Sequence, residues 1–251
     1  MRICGLLLVM LALTLPSLGA GAQHFYACFY SRSAGQDLEL NLLNVSTAPS
    51  EYQVRVYDAW GDLLWEVQGQ LNPFDAAFYR LGKAVEEGDT NWGVVSVVSQ
   101  ERLVLGLEYS IRGQVHSIDI VDQEVAGIQT GSSYLTAAYH TNITDALTSV
   151  VVMNPWDQEI TGHLVVYKSD GSSLYDADLS LSAHESTSLN LAQLVGHGSR
   201  HWGLVEVITQ NGGVVLACKY LKGHVLQVEN VIGSEVSPGE GTPAPAPYKE
   251  D

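Results

Sequence analysis

Asn91-Trp-Gly-Val-Val-Ser-Val-Val98 returns 110 residues later as His201-Trp-Gly-Leu-Val-Glu-Val-Ile208. The same spacing sets Tyr57-Asp-Ala-Trp-Gly61 against Tyr167-Lys-Ser-Asp-Gly171. From Val54 to Gln100 the two copies need no gap. Thirteen of forty-seven positions are identical, among them Tyr57/Tyr167, Gly61/Gly171, Leu71/Leu181, Leu81/Leu191 and Trp92/Trp202. Most of the other apolar positions stay apolar. Two copies of one plan at this length mean two similar domains, each burying its own core.

Working outward from that stretch, each copy reads as β. Leu38 to Leu43, Gln53 to Tyr57, Trp92 to Val98 and Leu103 to Tyr109 are short runs rich in valine, leucine and aromatics. Their counterparts are Thr148 to Met153, His163 to Tyr167, Trp202 to Ile208 and Val214 to Tyr220. Several alternate with period two, as a half-buried strand does. Ala59-Trp-Gly-Asp62, Ser169-Asp-Gly-Ser172 and Asn211-Gly-Gly213 separate them as turns. Ala76 to Glu87 has the composition for a turn or two of helix, whereas its counterpart Ser186 to Gly196 is too rich in serine. The pattern predicts an all-β chain of two tandem antiparallel β-sandwich domains, with an eight-stranded jelly roll as the nearest rival architecture.

The predicted boundaries are residues 1–22 for an export signal, 23–121 for the first sandwich, 122–131 for a linker, 132–233 for the second sandwich and 234–251 for a tail. Arg2, the apolar run Leu6 to Leu15 and the small residues Ala20-Gly-Ala22 have the form of a cleaved signal peptide. That predicts a secreted or periplasmic protein with no membrane span. The linker is polar with two glycines. The tail alternates proline with alanine and has no apolar periodicity, as an extended disordered segment does.

The chain carries a formal net charge of −16, and removing Arg2 with the signal makes it one unit more negative. Such a balance disfavours nucleic acid and anionic membrane surfaces as partners. It leaves room for a basic partner or cations, but a solvated acidic surface is the simpler account. Cys28 and Cys218 remain after cleavage, one in the first strand of copy one and one in the last core strand of copy two. In an oxidising compartment they are a candidate disulfide, the alternative being two buried thiols packed as small hydrophobes.

The repeated Trp92-Gly93 and Trp202-Gly203 read as core anchors, with Tyr57 and Tyr167 as further structural positions. Asn44 and Asn154 also coincide at strand ends, where asparagine bonds nearby backbone and shapes a turn. Asn44-Val-Ser46 and Asn142-Ile-Thr144 in addition fit the N-glycosylation acceptor pattern. Copy one has aromatics that copy two lacks: Trp60 stands against Asp170, Phe74 against His184 and Phe78 against Ser188. Trp60 in a hairpin tip, between Asp58 and Asp62 and joined by Phe74, is a candidate glycan-binding face, or an anchor in a protein interface. The loops before the tryptophan strands differ in sign. Glu86, Glu87 and Asp89 make one acidic, while His197, Arg200 and His201 make the other neutral to basic. Opposite loops on tandem domains are candidates for head-to-tail assembly.

Catalytic and metal patterns are weak. His197 and His201 have i,i+4 spacing, but the intervening Gly198-Ser199 opposes the helix such a pair needs. No EF-hand loop, Walker loop, nucleophile elbow or HExxH occurs in the sequence. No catalytic residue, metal ligand or cofactor is therefore expected.

In copy two, Val152-Met-Asn-Pro155, Val165-Val-Tyr167 and Leu181-Ser-Ala-His184 resemble the small bacterial β-sandwich domains of the sensory rhodopsin transducer type. Copy one resembles them over less of its length, with Val45 in place of the proline after Asn44. The resemblance implies an oligomeric, non-enzymatic sandwich used for interaction. Its cytoplasmic signalling role does not carry over to a chain with an export signal. The expected function is a non-catalytic structural or interaction protein that binds a protein partner or itself. The alternative is carbohydrate binding through the exposed aromatics of copy one.

Overall fold

The structure is a computed structural model that describes residues 23–32, 35–85, 91–111, 114–125, 132–142, 147–195, 201–222, 225–232 and 234–236. In the first unit the strands are β1 His24–Ser31, β2 Gln36–Asn44, β3 Ser50–Asp58, β4 Leu63–Leu71, β5 Ala76–Arg80, β6 Trp92–Ser99, β7 Leu103–Ile111 and β8 Gln114–Val121. In the second they are β9 Ser133–Asn142, β10 Leu147–Met153, β11 Ile160–Tyr167, β12 Ser173–Leu181, β13 Ser186–Asn190, β14 His201–Gln210, β15 Val215–Lys222 and β16 Val225–Ile232. A short β17, Ser234–Val236, follows.

The first unit forms two antiparallel sheets in the order β1-β6-β3-β4 and β5-β2-β7-β8. The second repeats both orders strand for strand, as β9-β14-β11-β12 and β13-β10-β15-β16. β17 adds to the free edge of β9, pairing Ser234 with Leu135 and Val236 with Ser133. The beginning of the predicted tail is thus a strand. Its remainder, the signal and most of the linker lie outside the described residues, as do Ile143 and Thr144 of the second sequon. The described start of the linker turns back onto the fold, with Val125 buried and its N–H bonded to the Phe25 carbonyl at 2.9 Å.

Alternation builds each core. In β2, Leu38, Leu40 and Leu42 are buried beside Tyr109, Leu107 and Leu105 of β7, while Asp37, Glu39 and Leu43 face outward. Val54, Val56, Val95 and Val97 close the first core from the other sheet. Val150, Val152, Leu164, Val166, Val205, Val207 and Leu216 do the same in the second. The segment Ala76–Arg80, read as a candidate helix, is an edge strand instead. It pairs Tyr79 with Leu40 and Phe78 with Asn41, so that one aromatic faces in and the next faces out. Only three residues beyond it, Leu81–Lys83, form a 3-10 turn. In copy two Ser186–Asn190 is again a strand, and a short helix α1 follows at Leu191–Val195.

The asparagine corners repeat in full. Asn44 Nδ2 donates to the carbonyls of Ala48, Leu71 and Asn72, and Asn44 Oδ1 accepts from the Ser46 N–H. Asn154 Nδ2 donates to Gln158, Leu181 and Ser182, and its Oδ1 accepts from Trp156. Every partner in the second set lies 110 residues beyond its counterpart in the first. Both asparagines are fully buried. The Asn44 amide nitrogen therefore serves as a structural donor, and a glycan there is incompatible with the fold.

Candidate functional site: the outer sheet faces

β1 is buried along nearly its whole length on both faces, as is its neighbour β6. Tyr26, Cys28 and Tyr30 point into the first core, where the Tyr26 hydroxyl accepts from the Leu103 N–H at 3.0 Å. Phe25, Ala27, Phe29 and Ser31 point the other way. Their neighbours on that face are Trp92, Val94 and Ser96 of β6, and Arg55 and Tyr57 of β3. This outer face is covered by the second unit. Val151, Met153, Val215 and Ala217, on the outer side of the β13-β10-β15-β16 sheet, share one apolar cluster with Phe29, Tyr57 and Val94. The chain is thus a stack of four sheets in which the two middle ones meet face to face.

At that contact Phe25 stacks on Trp156 with ring centroids 4.5 Å apart. The Trp156 indole N–H is anchored to the Gly213 carbonyl at 2.7 Å. His184 lies flat on Tyr57, centroids 3.7 Å apart and planes 12° off parallel. The Ser186 N–H bonds the Ala59 carbonyl at 3.0 Å, and a side chain on Gly61 would run into the Ala183 carbonyl. Lys219 Nζ donates to Ser31 Oγ at 3.2 Å and sits 5.9 Å from the Phe29 ring centre. His184 occupies a turn with φ of 58°. Its Nε2 is 2.7 Å from Asp157 Oδ1, and burial pushes its pKa below the ordinary histidine value although Asp157 opposes the shift.

The sequence placed Trp92, Trp202, Tyr57 and Tyr167 in the cores. Strand parity puts all four on outer faces, because Val95, Val97 and Val56 (Val205, Val207 and Val166 in copy two) take the inward positions, but Tyr57 is a core residue all the same, buried in the apolar cluster at the seam. Trp92 is half-buried beside Phe29, with centroids 6.2 Å apart. Trp202 is 43% exposed, so it is no core anchor. The repeated glycine after each tryptophan has the clearer role. A Cβ on Gly93 or Gly203 would meet the carbonyl oxygen of Tyr57 or Tyr167 on the neighbouring strand.

Trp60 is 69% exposed at the β3–β4 tip, and Phe74 is 68% exposed in the β4–β5 turn. They do not converge. The nine residues of β4 stand between them, a separation of about 30 Å at strand rise. Asp58 is committed to the turn, its Oδ1 accepting the N–H groups of Trp60 and Asp62 at 2.9 Å each. Trp60, Asp58 and Asp62 therefore stand together at one tip, and Phe74 stands apart from them. The loop residues Glu86, Glu87, Asp89, His197 and Arg200 lie outside the described residues, and only the backbone of His201 is described, at the start of β14. Cys28 and Cys218 are buried thiols in separate core clusters and do not form the candidate disulfide. Each sits on an inward strand position of its own sandwich, which keeps them apart.

Two shallow clefts lie on exposed surfaces. One, of about 520 Å³, opens at the sandwich edge beside β5, lined by Trp65, Phe78, Tyr79, Glu39, Arg80 and Lys83. The other, of about 560 Å³, lies on the outer face of the β12-β11-β14-β9 sheet around His163. His163 Nε2 is 2.6 Å from Asp176 Oδ1, and its Nδ1 is 3.2 Å from Asp178 Oδ1. Glu206 lies on the same face, paired across from Val165 and nearly buried. Its carboxyl is held above the ordinary glutamate value by burial, with His163 opposing. Among the described residues no group of three or more His, Cys, Asp or Glu side chains is arranged to hold a metal ion, and no helix is long and apolar enough to cross a membrane.

No family model and no curated protein matches the chain. Among solved structures it is similar to a glycosyl hydrolase family 2 member from Bacteroides cellulosilyticus, at 9% identity and a TM-score of 0.24, over 85% of this chain and 28% of that one. A putative beta-galactosidase from Bacteroides fragilis matches at 11% identity and a TM-score of 0.20, over 87% and 33%. A Bacteroides uniformis beta-glucuronidase matches at 9% identity and 0.18, over 84% and 25%. The chain thus spans a third or less of the structures it matches. Overlap at these TM-scores carries no argument about what this chain does.

Proposed function

We propose that this is an exported, non-catalytic β-sandwich protein that acts through its outer sheet faces, by self-association or by docking a protein partner. The observation that carries the reading is the set of large apolar side chains held in solvent on an otherwise acidic surface. Phe74, Phe78, Ile120 and Trp202 are all exposed, and Phe78 and Ile120 stand on the same outer sheet face in one cross-strand row with Asn41 and Gly106. Apolar groups gathered on one face are a hallmark of interaction surfaces. The resemblance to transducer-type sandwich domains supports the same reading, and the form of residues 1–22 supports export.

A second reading, glycan binding, draws on the cleft of Trp65, Phe78 and Tyr79, where aromatic rings stand beside the polar groups of Glu39, Arg80 and Lys83. The two readings are separated by the solution mass of the mature protein across a concentration series, measured by light scattering, beside a glycan array. A mass that grows with concentration and no glycan retention is the expected result. A strict monomer that retains glycans would overturn the first reading in favour of the second.

A further inference from the structure

The contact that joins the two units leaves a matching pair of faces uncovered. Within the chain, the outer face of β1-β6-β3-β4 packs on the outer face of β13-β10-β15-β16. The counterpart of the first face is the outer side of β12-β11-β14-β9 in the second unit. The counterpart of the second is the outer side of β5-β2-β7-β8 in the first unit. Both lie at the ends of the four-sheet stack.

The key contact residues have counterparts on these end faces. His184, which caps Tyr57, corresponds to Phe74, and Tyr57 itself to Tyr167. Phe74 adopts φ of 60° against 58° for His184, so the two turns present the ring alike. One ring is stacked on a tyrosine, while the other is exposed. A left-handed backbone at a bulky aromatic costs conformational energy, and the turn that bears it here projects an apolar ring into water. Gly171 keeps the positive φ of Gly61, 81° against 90°, so the partner hairpin has the same shape as well. Around Tyr167 the face carries Val165, Leu204, Ile208 and Trp202. On the opposing face Leu43 and Val104 correspond to Met153 and Val215.

From this geometry we infer that a second copy of this chain docks head to tail by repeating the inter-unit contact, with Phe74 of one copy stacking on Tyr167 of the next. The inference rests on the self-association reading above and names its surface. Each copy offers one face of each kind, so the contact is heterologous. It propagates into an open filament or closes into a ring, and does not stop at a two-fold dimer. The inter-copy contact is also weaker than the internal one. Ser46 replaces Trp156, and Glu108 replaces Lys219, so the second stacked pair and the lysine contact are missing. Association is therefore reversible and concentration-dependent.

The test uses the full mature chain. Ala59 and Ser186 meet within the chain; their counterparts are the exposed Ser169 and Ala76. Ser169→Cys and Ala76→Cys proteins are prepared separately, then mixed and oxidised mildly. A disulfide-linked pair of copies is expected in the mixture and in neither protein alone. In parallel, Phe74→Ala and Tyr167→Ala should each weaken self-association by about tenfold or more, as loss of a central aromatic anchor does. Wild-type protein that assembles, with unaffected variants and no mixture-specific cross-link, would overturn this contact and leave the self-association reading standing. Wild-type protein that is monomeric at every concentration would overturn both.

Discussion

Tyr57 and Tyr167 hold the same place in two copies of one sandwich, yet the first is sealed beneath His184 and the second borders solvent. The surrounding residues explain the difference. The covered face offers Phe25, Ala27, Phe29 and Val94, and receives Val151, Met153, Val215 and Ala217. On the other pair of faces Ser96 has become Glu206, Gln53 has become His163, and Val151 and Ala217 face outward as Asn41 and Gly106. Removing the His163 imidazole and the solvated carboxylates of Asp176 and Asp178 beside it from water opposes permanent closure. The aromatic and aliphatic side chains that remain still favour contact. A handful of substitutions thus turns one face of a fold into an internal seam and its twin into an exchangeable surface.

The comparison breaks most severely where the units are still alike. Asn44→Ala and Asn154→Ala each strand the same three backbone carbonyls and one N–H. Each should lower stability by about 2–4 kcal/mol in urea unfolding. If the two losses differ widely, the corners are not the equivalent structural elements that their matched hydrogen bonds imply. A smaller and asymmetric effect is expected at the tyrosines. Tyr57→Ala removes a buried ring from the seam and should cost about 2–3 kcal/mol. Tyr167→Ala, measured at a dilution where the protein is monomeric, should cost less than about 1 kcal/mol. Equal costs would mean that the stacked seam contributes nothing to the fold.

The duplication and the sheets were legible because alternation and turn glycines survive in both copies at one spacing. β5 and β13 were not. Ala76-Ala-Phe-Tyr-Arg80 has no β-branched residue, and its strand conformation comes from pairing with β2, a tertiary effect that local propensity does not carry. The seam was hidden for a different reason. Tyr57 and Tyr167 are identical, so this repeated position does not distinguish a covered face from an open one. The usable signal was β1 itself. Phe25-Tyr-Ala-Cys-Phe-Tyr30 is apolar at both parities, and such a strand needs a cover on each side. The same parity argument would have moved Trp92 and Trp202 outward, since alternating valines already filled the inward positions. Phe74 does not join Trp60, Asp58 and Asp62, because residues close in sequence stand at opposite ends of β4.

His184 gives a finer way to test the seam. Burial holds its pKa below the ordinary value, with Asp157, Arg55 and Tyr57 as its charged and titratable neighbours. The unfolded chain therefore binds a proton more readily than the folded one. Stability is complete above the ordinary histidine value of 6.5 and is lost as pH falls from there through the depressed folded value. His184→Phe borrows the residue that copy one already tolerates in the same turn, and it should flatten the acid side of the thermal-stability profile. An unchanged profile would show that the imidazole is not sealed at the seam.

The smallest effect is expected on the open face, and its sign is opposite. The Glu206 carboxyl is raised by burial, with His163 pulling it back. Folded protein therefore holds this proton more tightly than unfolded protein. Stability from this group is complete below the ordinary glutamate value and declines as pH rises through the raised folded value. Glu206→Gln removes the charge while keeping the shape. It should raise the melting temperature slightly at neutral pH and leave it unchanged in acid. If a second copy covers this face, the same substitution also removes a nearly buried charge that docking would seal off completely, so self-association at neutral pH should tighten by a few-fold. A gain in melting temperature without tighter association would place Glu206 outside the docking surface while confirming its buried charge. Together, His184 and Glu206 report oppositely on acid: the inner seam loosens as pH falls, and the outer face becomes easier to cover.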